Sequence, residues 1–189
     1  MMTNQVIARN ESRLSFKAQT VAALIAVVAA VVLPQIFHAI GIVSGTGAAM
    51  GAAFLPMYLP VMMVGFLAGP YAGAVSGVAA PLISFAVTGM PAAAVLPLIA
   101  AEVTACGLLS GLARNVNMPL ILKVLAVQVA GKLVRLGAVF AMIYFAGSQM
   151  PAFASVWASA KQGFPGIILQ LAIIPLVVFY VNNKSRDEK

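Results

Sequence analysis

Long apolar runs dominate the chain and are interrupted by charges and by Gly/Pro clusters. They divide it into six segments near 18–43, 53–68, 70–88, 92–112, 119–146 and 163–182. A helix needs about 20 predominantly apolar residues to cross a bilayer core, and this pattern predicts an all-α integral membrane protein of six transmembrane helices. The second segment is short and carries Pro56 and Pro60. Proline removes a backbone donor that lipid cannot replace, so this segment is expected to be kinked or partly re-entrant. Tight turns are expected at Gly69-Pro70 and Gly89-Met90-Pro91. The first apolar run exceeds the roughly 7–15 residues of a cleaved signal's apolar region and reads as a retained helix. Gly41-Ile42-Val43-Ser44-Gly45 is the one stretch there that suits a small-residue cleavage site. The division is therefore an N-terminal segment 1–17, a transmembrane domain 18–182 and a tail 183–189.

Composition makes lipid the necessary solvent. Hydrophobic residues form 62% of the chain and charged residues 8%, with a mean hydropathy of +1.05, whereas a soluble domain carries about 25% charged residues. The net charge of +7 does not imply nucleic acid, because the basic residues are scattered with no aromatic platforms between them. Their placement instead reports topology. Lys and Arg collect in short cytoplasmic loops. With the N-terminus inside, Arg9, Arg13, Lys17, Arg114, Lys123, Lys184, Arg186 and Lys189 all fall on the cytoplasmic side, and Lys161 falls outside. Both termini are accordingly expected in the cytoplasm.

Lys132 and Arg135 lie within the fifth segment, and Glu102 lies within the fourth. An ionisable group at mid-membrane costs about 2.5–3.5 kcal/mol on insertion scales and marks a functional site or an internal pair. If the fourth helix enters from outside near Ala92, Glu102 lies about 15 Å deep at 1.5 Å per residue. Arg135 falls at a similar depth and Lys132 somewhat deeper, so one cavity can hold all three. Gln128, Lys132 and Arg135 follow i, i+4, i+7 spacing and share a helical face. Gln170 of the sixth segment is expected to complete the lining or to bond a neighbouring helix, with Tyr58 and Thr104 as further candidates. Two cations against one carboxylate leave one positive charge for a ligand anion to balance. Arg135 suits a bidentate carboxylate or phosphate contact. The structural alternative is that Glu102 bridges one cation and the other snorkels to an interface.

Other features are less specific. Trp157, with Phe153, lies before the last segment and reads as an interfacial anchor or as a lid that stacks on a bound ring. His38 near the outer end of the first helix reads as a hydrogen-bonded interface residue, and a single histidine without a carboxylate cluster makes no metal site. Ala18, Ala22, Ala26 and Ala30 form a stripe with a spacing of four. It suits either a partner helix or packing inside the chain. Cys106 stands alone in an apolar run, which excludes a disulfide framework. No GxSxG, HExxH or nucleotide-binding P-loop occurs, so no enzymatic activity and no cofactor is expected. Uphill transport would draw its energy from a partner or an ion gradient.

The stretch LPMYLPVMMVGFLAGPYAGAVSG from Leu55 to Gly77, with APLISF from Ala80, TGMP from Thr88 and AEVTACGLLSG from Ala101, resembles the substrate-binding S components of energy-coupling factor (ECF) transporters. The resemblance covers roughly residues 45–112; elsewhere it is confined to length and helix pattern. It implies six helices in a bacterial or archaeal plasma membrane. It also implies a vitamin pocket near the outer face, closed by the loops after helices one, three and five. The partners implied are a transmembrane scaffold (T component) and two ATPases, with the stripe Ala18, Ala22, Ala26 and Ala30 as the scaffold-docking face. The biotin-type signature is missing, and the charge count favours a carboxylate-bearing vitamin or precursor such as pantothenate or nicotinate. A solitary secondary carrier or channel subunit is the alternative function, and a membrane assembly protein a third.

Overall fold

The computed structural model describes residues 14–47, 49–147 and 152–187, all in helices and the turns that join them. The helices are α1 (Phe16–Val43), α2 (Ala49–Phe54), α3 (Tyr58–Ala68), α4 (Pro70–Thr88), α5 (Leu96–Ala113), α6 (Leu120–Ala146), α7 (Ala152–Gln162) and α8 (Phe164–Asp187). Local chemistry sets many of the boundaries. The Ser15 side chain accepts a hydrogen bond from the Ala18 amide at 3.3 Å and caps α1. Pro70 opens α4, where its missing N–H costs nothing. Gly89 and Gly147 end α4 and α6 in the left-handed conformation.

Among the described residues, five helices, α1, α4, α5, α6 and α8, are long and apolar enough to cross a membrane. The second expected segment differs. It is split into α2 and α3 by Leu55-Pro56-Met57, and α3 has 11 residues, which span only about 16 Å at 1.5 Å per residue. Leu55 sits at φ 46°, a conformation costly for a branched side chain. Its carbonyl accepts bonds from the Tyr58 amide at 3.1 Å and from Gln170 Nε2 of α8 at 3.4 Å. Buried protein thus satisfies the broken backbone, the condition for irregular chain at membrane depth. The stretch before the last segment also differs from the expected loop, because from Ala152 it is the helix α7.

The short α3 is the hub of the bundle. Tyr58, Val61, Met62 and Phe66 pack with Ala30 of α1, Ala80 of α4, Val103 and Cys106 of α5, Val124 of α6 and Ile174 of α8. Small residues bring the backbones close. A methyl at Gly73 would overlap the Gly107 carbonyl, one at Gly107 the Gly73 carbonyl, and one at Gly77 would meet Thr104 Cα at 2.5 Å. Helices in lipid gain no hydrophobic drive to associate, so close packing of this kind holds them. The outer surface is apolar, as at Leu24, Ile25 and Val28 of α1, Leu133 of α6 and Leu176 of α8.

Close contacts define the two ends. At one, the Phe16 and Tyr71 rings lie 4.8 Å apart, and Lys123 donates to the Arg114 carbonyl at 2.9 Å. At the other, Phe37 and Phe54 lie 5.2 Å apart, and Gly51 abuts His38. Arg9 and Arg13 lie outside the described residues, as does Lys189.

The alanine stripe turns inward over its second half. Ala26 and Ala30 are buried, and Ala22 packs with Ala23, Val64, Ala68 and Ala72 at the junction of α1, α3 and α4. Ala18 is half-buried. Small side chains here let α1 approach its own neighbours and leave Ala26 and Ala30 no surface for a partner.

Candidate functional site

Glu102 occupies the middle of α5 at 1% exposure. Opposite it, α6 presents Lys132 and Arg135 with i, i+3 spacing, one turn apart on one face. Gly131 faces Cys106, where a methyl would clash, so the two helices approach closely enough for one carboxylate to meet both cations. Lys132 Nζ lies 2.6 Å from Glu102 Oε1, and Arg135 Nη1 lies 2.9 Å from Oε2. Each oxygen holds one cation. Lys132 also donates to Ser159 Oγ of α7 at 3.0 Å, and the Tyr58 phenol lies beside Glu102. The single-bridge alternative is thereby replaced by a triad.

Arg135 extends from this triad into the wall of a cavity of about 390 Å³ at the His38–Gly51 end of the bundle. Gln35 and His38 of α1, Tyr58 of α3, Ser84 of α4, and Ser159 and Gln162 of α7 supply the other polar groups. Its walls are mainly apolar, with Leu55, Met57, Met90, Pro91, Val95 and Ile99. Among the described lining residues, Arg135 is the one cation and there is no carboxylate. Two side-chain donors of lining residues, Arg135 Nε and Gln35 Nε2, are buried without a hydrogen-bond partner. Unpaired buried donors are costly unless something in the site satisfies them. Mostly apolar concavities with a few convergent polar groups are the usual form of small-molecule sites.

The remaining expected site residues are dispersed. Gln128 is buried with Nε2 unpartnered, but it does not line the cavity. Gln170 braces the break at Leu55. Thr104 faces Gly77 at the crossing of α4 and α5. Trp157 is 64% exposed and does not line the cavity; its ring lies 5.4 Å from Lys161 Nζ. Sequence reasoning missed Gln35, Ser84, Ser159 and Gln162 and gave His38 an interfacial role. The i, i+3 spacing of Gln35 and His38 beside Pro34 was the one available signal for a polar face on α1.

No group of three or more His, Cys, Asp or Glu able to hold a metal occurs among the described residues. No family model, curated protein or solved structure matches the chain.

Proposed function

We propose that this chain is the substrate-capturing subunit of an ECF-type importer, binding a vitamin or vitamin precursor outside the cell and delivering it inward. The observation that carries the reading is a cavity lined by Arg135, whose Nη1 is held by Glu102 and whose Nε is left without a partner. An assembly protein has no need of buried charges beside a cavity of this size. In this reading α2 and α3 together make one crossing, the crossings number six, and both termini are cytoplasmic. Support comes from Lys17, Arg114 and Lys123, which belong to the end away from the cavity, whereas Lys161 belongs to the cavity end. By the positive-inside rule the cavity then opens outward. In this reading a transmembrane scaffold and two ATPases drive uptake, since the chain carries no nucleotide-binding motif of its own.

The test is to purify the chain in detergent, denature it and identify released small molecules by mass spectrometry, with Arg135→Ala alongside. A near-stoichiometric vitamin that is lost in the variant supports capture. Nothing released, together with no binding across a vitamin panel, sinks the proposal. Gradient-driven uptake by the chain alone in vesicles would replace it with the solitary carrier.

A further inference from the structure

We infer that the cavity selects a small monocarboxylate with an apolar, ring-sized body, its carboxylate on the Nε–Nη2 edge of Arg135 and a second acceptor atom on Gln35. This rests on the capture reading and assigns its substrate class.

Guanidinium geometry sets the first half of the assignment. Glu102 engages Nη1 at 2.9 Å, and the Nε–H on the opposite side is buried without a partner. Nε and Nη2 present two parallel N–H groups, the fork that receives a carboxylate side-on. Glu102 therefore positions Arg135 at the cavity wall and leaves its Nε without a partner. Lys132 is turned away from that role, since Glu102 Oε1 and Ser159 Oγ occupy its ammonium. The triad carries one net positive charge, and no carboxylate stands on the described cavity wall to balance it. One anionic group on the ligand restores neutrality in a low-dielectric site; a dianion would leave a new charge uncompensated.

The walls set the second half. Leu55, Met57, Pro91, Val95 and Ile99 offer no side-chain hydrogen bonds. Hydroxyls set against this apolar part of the wall would be buried unpaired, whereas an apolar ring loses nothing there. Gln35 Nε2 is the other unpartnered buried donor among the lining residues. It favours a ring that carries one further acceptor. A volume of about 390 Å³ is near the low end of small-molecule sites, which run from about 300 to 1,000 Å³, and suits a single ring better than an extended cofactor.

The experiment is calorimetric titration of the detergent-purified full chain with nicotinate, benzoate, nicotinamide and pantothenate, repeated with Arg135→Gln and Gln35→Leu. The Arg135→Gln variant leaves Glu102 and Lys132 as a neutral pair, and Gln35→Leu removes only a half-buried amide. Nicotinate is expected to bind at least about tenfold tighter than nicotinamide, the discrimination of one charge-assisted hydrogen bond. It should also bind tighter than pantothenate. Arg135→Gln should erase the preference for acid over amide, and Gln35→Leu should weaken nicotinate more than benzoate. An acid preference that survives Arg135→Gln overturns the inference. Tighter binding of nicotinamide or pantothenate than of both ring acids also overturns it, but leaves capture standing. No binding by any probe, with no co-purifying molecule, overturns both.

Discussion

Replacing Glu102 by glutamine removes the one carboxylate that holds two buried cations. The side chains of Glu102, Lys132 and Arg135 are 2%, 17% and 12% exposed, so water screens the loss poorly. Removing one partner of a buried ion pair typically costs about 3–5 kcal/mol, mainly because the charge left behind is unsolvated. Here two charges are left behind, and Glu102→Gln belongs at the upper part of that range. Lys132→Met is the informative contrast. It leaves Glu102 and Arg135 as a neutral pair and removes the excess positive charge; the losses are the partner of Glu102 Oε1 and the bond to Ser159, so it should cost less than Glu102→Gln, about 2–3 kcal/mol. The double variant should be less damaged than Glu102→Gln alone, since one of the stranded cations is gone; that non-additivity is the signature of a coupled triad. The assay is reversible unfolding by SDS in mixed micelles, followed by far-ultraviolet circular dichroism. If Glu102→Gln lies within about 1 kcal/mol of the parent, or Lys132→Met is equally damaging, the triad does not hold its charges as described.

Packing and topology supply further tests. Gly107→Ala, which drives a methyl into the Gly73 carbonyl, should destabilise by roughly 1–3 kcal/mol. Gly137→Ala, with open space around it, should be neutral or stabilise by up to about 1 kcal/mol; thermal unfolding in detergent compares them, and equal effects would contradict the close approach of α4 to α5. Ala30→Leu should cost about 1–3 kcal/mol by overpacking, while the outward-facing Leu24→Ala should change the midpoint little. A tolerated Ala30→Leu would favour the docking role of the stripe. In a Cys106→Ser background, a membrane-impermeant maleimide should label Lys161→Cys in intact cells and Asn115→Cys only after lysis. The reverse pattern would invert the proposed orientation.

Solvent, helical class and most helix positions could be read directly from the amino-acid chain. Lipid cannot satisfy an open backbone, so a chain this apolar has to form helices, and its glycines, prolines and charges mark where they stop. Glu102, Lys132 and Arg135 were legible as a group for the same reason: charges at mid-membrane are too costly to be left apart. The break at Pro56 was also visible.

Which side of each apolar helix faces inward was decided by tertiary packing. Lipid and protein interior are both apolar, so hydropathy does not distinguish Ala30, which is buried, from Leu24, which is exposed. The alanine stripe was therefore open to two roles, and only the folded chain shows part of it packed internally, against Val64, Ala68 and Ala72. Gln128 and Gln170 shared the polar character of the site in sequence, yet one is buried away from the cavity and the other braces Leu55. The wall formed by Gln35, Ser84, Ser159 and Gln162 draws on three helices distant in sequence, α1, α4 and α7. No local pattern brings them together, because their neighbourhood exists only once α3 has taken the centre of the bundle and α7 has packed beside α6.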